Sequence, residues 1–88
     1  MKYIVVRIKD VEQIFVFPRT VDHDRMHEGV CEIRHGDGRY WHREFAEAIS
    51  AGFIDNGACH GDSETLKLSS RGEPDTALLR FWLGGMKC

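Results

Sequence analysis

The chain opens with a segment in which hydrophobic and polar positions alternate, residues 2–9. Ile4, Val6 and Ile8 share one side of this segment when it is extended. A period of two with β-branched residues on one side is typical of a β-strand that is buried on that side. We therefore predict a first strand at residues 2–9.

A second apolar segment follows at residues 14–17. All four of its residues are apolar, so a strand here has two faces to bury. We expect it either to be covered on both sides or to lie centrally in the sheet. Residues 9–12 are the predicted hairpin turn, and Pro18 ends the strand because proline cannot continue a ladder.

The next elements are predicted to be a short helix and a third strand. Asp22 can cap a helix at residues 23–28, and Gly29 is its predicted stop. Residues 30–34 predict a strand, and the two glycines in residues 35–38 predict a turn.

The stretch at residues 40–52 supports two interpretations. Its apolar residues at positions 41, 45, 48 and 49 recur at helical spacing, whereas residues 48–54 also fit a strand. Periodicity alone favours the helix. Beyond this stretch, residues 55–57 and 61–62 are predicted turns, with short extended segments at residues 58–60 and 65–68.

The last apolar segment predicts the C-terminal helix, at residues 73–85. Pro74 suits the first turn of a helix, and the carboxylates of Glu73 and Asp75 suit the positive end of its dipole. The glycine pair at residues 84–85 is the predicted stop.

Apolar side chains cover most of the circumference of this helix, so we expect only Thr76 and Arg80 to face water. One face of a small sheet cannot cover such a helix. The helix is therefore either wedged between other elements or half exposed for a partner. In the second case, Leu79, Trp82 and Leu83 are candidate residues of a homodimer interface.

These elements predict one domain, residues 1–88, with an α+β fold. We expect a small antiparallel β-sheet of about four strands, with the C-terminal helix packed on one face and a short second helix. The 88 residues are 42% hydrophobic, which is enough for one small core.

Charge and cysteine content narrow the class of protein. The net charge of −2 gives no overall field to hold a polyanion. The apolar run at the N-terminus is too short for a signal peptide or a membrane span, so we expect a cytoplasmic protein with no membrane partner. Three widely spaced cysteines without a CxxC pair predict reduced thiols, with Cys31 and Cys59 buried.

Several segments resemble a group of small proteins of phage and prophage origin. These segments are residues 1–6, residues 17–18 with His23 and Met26, residues 50–54, residues 61–71, and Asp75 with residues 78–79. In this group the Ser-Ala-Gly-Phe segment behaves as a strand, so the resemblance favours a strand at residues 46–55. The chain departs from the group at Lys67, where a glycine is expected, and in a longer run at residues 71–74. The group has no established chemistry, so the resemblance implies an origin and not a reaction.

The histidines and cysteines raise the question of a metal site. His23 and His27 lie four residues apart on the predicted short helix, a spacing that brings two imidazoles to one ion. Further ligand types are present at Cys31, His35, His42, Cys59 and His60. None of the spacings is a zinc motif, so we predict no metal and no cofactor, with His23 and His27 solvated. A small zinc-binding protein is kept as an alternative function.

No catalytic residues are predicted. Residues 61–63 resemble the start of a Gly-Asp-Ser-Leu hydrolase block, but Glu64 replaces the leucine and such hydrolases need a far larger scaffold. We therefore predict a turn there. Cys59 and His60 are adjacent, so in a strand they would point to opposite faces.

Two places could bind an anion or a nucleic acid. Free backbone N–H groups and Arg71 converge ahead of the last helix, although Glu73 and Asp75 already occupy that positive end. A basic and aromatic cluster around the glycine turn could stack bases and contact phosphates, so a small nucleic-acid-binding regulatory module is an alternative function. The candidate interaction residues are Arg34, Arg39, Tyr40, Trp41, Arg43, Arg71 and Arg80.

The main expectation is a non-enzymatic accessory protein of phage type that binds and inhibits a host protein complex. A CRISPR-Cas complex, which would make the chain an anti-CRISPR protein, or another component of host defence is the expected target. The lack of a catalytic motif, the apolar last helix and the basic aromatic turn motivate a binding role. The choice of a host protein as the partner comes from the resemblance, by analogy.

Overall fold

The computed structural model describes residues 1–33 and 46–86. It confirms the α+β fold, with a four-stranded antiparallel sheet, a C-terminal helix and a second, shorter helix. The elements in chain order are β1 (Lys2–Ile8), β2 (Val11–Phe17), α1 (His23–Ile33), β3 (Ala46–Asp55), β4 (Ala58–His60), β5 (Asp62–Ser63), β6 (Leu68–Ser69) and α2 (Glu73–Met86).

β1 lies inside the main sheet and is buried on both faces. The strand order is β2-β1-β3-β4, and β5 with β6 forms a separate two-stranded sheet. The predicted alternation is confirmed, because Ile4, Val6 and Ile8 belong to one core cluster. Tyr3 and Val5 belong to a second cluster, so both sides of β1 face apolar surroundings.

The two helices complete these clusters from opposite faces of the sheet. Met26 and Val30 of α1 join the cluster on the Ile4 side. Leu78 and Leu79 of α2 join the cluster on the other side. The sheet is therefore the middle of three layers, which is how a short chain buries both faces of one strand.

β2 lies at an edge of the sheet, so the expectation of a central position is wrong. Cover on both faces is the expectation that holds, since Phe15 packs on the α1 side and Ile14 on the α2 side. The cover is incomplete, because Val16 is 42% exposed. β1 and β3 are the two central strands, and their small and β-branched side chains lie in the two core clusters.

The β1–β2 hairpin turns through two residues and not through the four expected at residues 9–12. Ile8 pairs with Val11. Lys9 and Asp10 between them have φ of 51° and 65°, the left-handed values of a type I′ turn. Neither residue is the glycine or asparagine that usually marks such a turn, so the sequence did not locate it.

α1 is longer than predicted and replaces the third predicted strand. It continues through Gly29 to Ile33, so residues 30–33 are helical. His23, His27 and Val30 are buried and recur at helical spacing, which places them on one face against the sheet. Burial of that face outweighs the helix penalty of a glycine, about 1 kcal/mol.

Residues 46–55 form β3, so the strand interpretation is correct for this part of the ambiguous stretch. Gly52 allows the close approach of β4, because a β-carbon there would collide with the backbone carbonyl of His60. The turn at residues 55–57 is confirmed, with Asn56 and Gly57 at φ of 53° and 78°. The predicted turn at residues 35–38 and the start of the ambiguous stretch lie outside the described residues.

Two predictions near the C-terminus need correction. Residues 64–67 form a turn between β5 and β6, so the segment predicted as extended at residues 65–68 is mostly turn. α2 continues through Gly84 and Gly85 to Met86. Glycine permits a helix to end but does not force it to, because its φ is free to stay helical.

Replacing Asp10 with glycine is expected to stabilise the hairpin. The left-handed φ of Asp10 costs a residue with a side chain about 1 kcal/mol relative to glycine. Thermal unfolding followed by circular dichroism should show a rise in Tm of about 4–8 °C. The matched control Asp24→Gly lies in the first turn of α1 and should lower the Tm. A fall in Tm for Asp10→Gly would contradict the turn type.

Candidate functional site

A network of polar side chains joins the start of β1 to the start of α2. Tyr3 is fully buried, and its hydroxyl donates a hydrogen bond to Asp75 Oδ2 at 2.6 Å. Ser70 Oγ lies 2.5 Å from the same hydroxyl oxygen and accepts a hydrogen bond from the Gly72 amide at 3.0 Å. Two ends of the chain are thus connected through buried side chains.

Arg71 extends this network to the edge strand. Its backbone amide donates to Asp75 Oδ2 at 3.0 Å, and its Nε donates to Asp75 Oδ1 at 2.7 Å. Its Nη2 donates to Glu12 Oε1 on β2 at 2.7 Å. One guanidinium group therefore holds both the first turn of α2 and the edge of the sheet.

The hydrogen bonds set the charges of the network. Burial raises the pKa of Asp75, but the hydrogen bonds from Tyr3 and Arg71 outweigh burial and hold that pKa below its usual value. Burial and the hydrogen bond to Asp75 raise the pKa of Tyr3. The hydrogen bond from Arg71 lowers the pKa of Glu12. At neutral pH the network thus contains two carboxylates, a guanidinium and a neutral phenol.

Asp75 occupies the position that residues 69–72 could offer to an anion. Its carboxylate accepts both the backbone N–H and the guanidinium N–H of Arg71, which are the donors that an external anion would need. Asp75 is fully buried. The arrangement therefore fixes α2 on the sheet with an internal carboxylate.

Thr76 faces the sheet and not the solvent, contrary to the expectation from the helical pattern. Its side-chain Oγ1 donates to the Gly72 carbonyl at 3.0 Å and accepts from the Cys59 amide at 2.9 Å. Thr76 is 9% exposed. Two hydrogen bonds explain its burial, since a hydroxyl group loses little when both of its roles are satisfied.

The residues considered for nucleophilic chemistry do not form a reactive pair. Cys59 and His60 point to opposite faces of β4, as predicted. Burial raises the pKa of the Cys59 thiol, while the exposed His60 places Nε2 at 2.6 Å from Asp55 Oδ2. Ser63 lies in β5, not in the predicted turn, and its hydroxyl accepts the Leu66 amide at 3.2 Å.

His23 and His27 share one face of α1 and are each only 4% exposed, so the expectation that they are solvated is wrong. His23 Nε2 lies 3.0 Å from the Gly52 carbonyl oxygen, to which it can only donate. The ring packs edge-on against Phe17 and Phe53. Among the residues that the structure describes, no three His, Cys, Asp or Glu side chains are grouped to hold a metal ion.

The C-terminal half of α2 carries exposed apolar side chains. Phe81 is 75% exposed, Trp82 43% and Leu83 48%. The rings of Phe81 and Trp82 contact each other edge to face. We call these three residues the apolar patch. Leu79 is buried one turn earlier, so of the three candidate dimer residues only Trp82 and Leu83 lie at the surface.

Of the seven candidate interaction residues, the structure describes two, Arg71 and Arg80. Arg71 is engaged by Asp75 and Glu12. Arg80 is exposed on α2, one residue before the apolar patch. The remaining candidates lie outside the described residues: Arg34, Arg39, Tyr40, Trp41 and Arg43.

The sequence contains only a faint signal for the buried network. Tyr3 appears as an ordinary strand residue, and Asp75 as one of two carboxylates at a helix start. The additional signal is the spacing of Arg71 and Asp75, four residues apart across that helix start. Nothing in the local sequence connects this pair to Tyr3, because the contact forms only when α2 lies on the sheet.

Comparison with protein-family models, with curated proteins and with solved structures gives no match for this chain. Within residues 1–33 and 46–86, neither helix is long and apolar enough to cross a membrane.

Replacing Asp75 with asparagine is expected to lower the free energy of unfolding by about 2 kcal/mol. The amide NH2 group takes the place of an oxygen that accepts a hydrogen bond from Tyr3 or Arg71. Urea unfolding of both proteins measures the difference. Glu73→Gln changes an exposed carboxylate in the same turn and should cost less than about 1 kcal/mol. Equal losses in the two variants would show that the network contributes nothing beyond the helix dipole.

The contribution of Asp75 to stability is also expected to depend on pH. Its folded-state pKa lies below the value of about 3.9 expected in the unfolded chain. Its contribution is therefore fully present above about pH 4 and is lost as the pH falls through the folded-state pKa. Unfolding at several pH values should show the gap between the wild type and Asp75→Asn closing in acid. A gap that stays constant down to about pH 2 is the contrary result.

Proposed function

We propose that this chain is a non-enzymatic binding protein that docks on a host protein complex through the apolar patch of α2. The observation that carries the proposal is the exposure of Phe81, Trp82 and Leu83 on adjacent positions of one helix end. Each of these side chains forgoes part of the gain of about 1.5–3 kcal/mol that full burial of a large apolar side chain gives. Apolar residues grouped at a surface are typical of a site that a partner covers.

The patch is held on a rigid base. Leu78 and Leu79, directly before it, pack into the core beneath α2. The first turn of α2 is fixed by Asp75 through Tyr3 and Arg71. A partner therefore meets aromatic side chains that are already positioned, and binding costs less ordering than it would on a loop. Tryptophan is among the residues that contribute most at protein interfaces.

The polar residues of the described fold favour binding over catalysis. Tyr3 and Asp75 are engaged with each other in the interior. Cys59 is buried and its pKa is raised, so its thiol is held in the less nucleophilic form. In this proposal these groups position α2, and the chemistry of the protein lies in what α2 contacts.

The resemblance to phage and prophage proteins supports a specific form of the proposal. Small phage accessory proteins often act by binding and blocking a host protein, and we extend this mode of action to the chain by analogy. We propose an inhibitor of host defence, with a CRISPR-Cas complex as one target, which would make the chain an anti-CRISPR protein. The Ser-Ala-Gly-Phe segment of the resemblance lies in β3, next to β1 in the sheet.

An affinity pull-down from bacterial lysate tests the proposal, with nuclease treatment of half the sample. We expect one host protein complex to be retained in both halves. Phe81→Ser and Trp82→Ala should each reduce the recovered complex at least about tenfold, the change expected when a central aromatic contact is lost. Circular dichroism should confirm that both variants stay folded, since Phe81 is 75% exposed and Trp82 43% exposed.

The matched control is Val11→Ser, which removes an exposed apolar side chain beside the β1–β2 turn. Its recovery of the host complex should equal that of the wild type. Equal recovery by wild type, Phe81→Ser and Trp82→Ala would exclude the apolar patch as the docking site. Loss of every partner after nuclease would instead favour binding of nucleic acid.

A further inference from the structure

The edge strand β2 directs a row of backbone hydrogen-bonding groups away from the sheet. The two-residue turn pairs Ile8 with Val11, and in such a hairpin this pair exchanges both backbone hydrogen bonds. Bonded and non-bonded pairs alternate along an antiparallel ladder. The odd-numbered residues of β2 therefore bond to β1, and Glu12, Ile14 and Val16 direct their N–H and C=O groups outward.

No strand of the described chain pairs with this outer side of β2. Within residues 1–33 and 46–86, β2 ends the order β2-β1-β3-β4. The edge strand at the other end, β4, has three residues, whereas β2 has seven. Lysine and proline, which usually protect a long edge from pairing with another strand, are both missing from β2, and its one charged residue, Glu12, is paired with Arg71 of the same chain.

We propose that β2 pairs with β2 of a second copy of this chain, antiparallel and centred on Ile14, so that two sheets join in a homodimer. The outward residues are self-complementary in this register. Ile14 lies opposite the partner's Ile14, and Glu12 lies opposite the partner's Val16. Every outward N–H and C=O group of the three residues then meets an outward group of the other copy.

The side chains of the edge favour a second copy as the occupant. Ile14 and Val16 lie on the α2 side of β2, since they pair with Val5 and Tyr3 of the α2-side cluster. Val16 lies at the Phe17 end of the outward row and is 42% exposed. In the proposed register the partner's Glu12 lies beside Val16, and the two-fold symmetry covers Val16 of both copies in the same way.

The symmetry also places the helices. A two-fold axis perpendicular to the joined sheet keeps equivalent faces on the same side. α2 contacts β2 in each copy, so the two α2 helices lie on one face of the joined sheet near the axis. The dimer thus presents two apolar patches on a common face. Dimerisation does not depend on the proposed function, because it needs no host partner.

A charge at position 16 tests the register. Glu12 is held charged by Arg71 and lies opposite position 16 of the other copy. Like charges in directly opposite positions destabilise a strand pair, and opposite charges stabilise it. Val16→Glu therefore places a second carboxylate opposite Glu12 at two symmetry-related positions of the dimer. Val16→Lys, the matched control, faces the same carboxylates with the opposite sign.

Sedimentation equilibrium measures the result. The wild type should sediment at twice the chain mass of 10.1 kDa, with a concentration-dependent monomer fraction. Val16→Glu should raise the dimer Kd at least about tenfold above that of Val16→Lys. A wild type that stays monomeric at NMR concentrations would overturn the proposal. Equal Kd values for the two variants would overturn the register, and with it the proposal.

A second measurement uses the unmodified protein, so it stands even if a variant fails to fold. In a mixture of isotope-labelled and unlabelled chains, the proposed register brings the Gln13 Hα close to the Hα of the partner's Phe15, a non-bonded pair. An intermolecular NOE between these two protons is expected. Its absence in a sample that sediments as a dimer would show that the copies meet elsewhere. Ala58→Lys, a charge on the opposite edge strand, should leave the NOE and the Kd unchanged.

Discussion

The contact between Tyr3 and Asp75 is the constraint on which the described structure depends most. It joins the second residue of β1 to the first turn of α2, with both side chains fully buried. A buried carboxylate is tolerated only when its oxygens are satisfied, and here Tyr3 and Arg71 supply the donors. If either donor were removed, the charge would stay buried, so the network resists a change in the position of α2.

The position of α2 decides which surfaces the molecule offers. Its first turn is anchored by Asp75 and Thr76, and its middle is buried through Leu79. The last part of the helix extends beyond this support, which exposes Phe81 and Trp82. The apolar patch is thus a consequence of the anchoring at the other end of the helix. The edge of β2 is a separate surface that Arg71 connects to the same anchor through Glu12.

The pattern of residues predicted the elements well where one face alone decided the burial. Ile4, Val6 and Ile8 alternate and form the α1-side core, and the closing apolar segment forms α2. The residue pattern gave the wrong element where the same residues suited both a strand and a helix. Residues 30–33 suit a strand, but α1 continues through them because Val30 follows His23 and His27 on the buried face. The apolar composition of α2 predicts an exposed apolar surface on this helix. It does not predict that Leu79 is buried and Phe81 exposed.

The sequence by itself determined the α+β class, the alternation of β1, the turn at Asn56-Gly57 and the approximate length of α2. Each of these follows from neighbours in the chain, through side-chain period or backbone freedom. Only the tertiary structure decided that β2 takes an edge, that Thr76 and the two histidines are buried, and that Asp75 meets Tyr3. These outcomes depend on contacts between residues far apart in sequence. A local pattern cannot specify them, because the same polar residue is exposed or buried according to the donors that the rest of the fold brings to it.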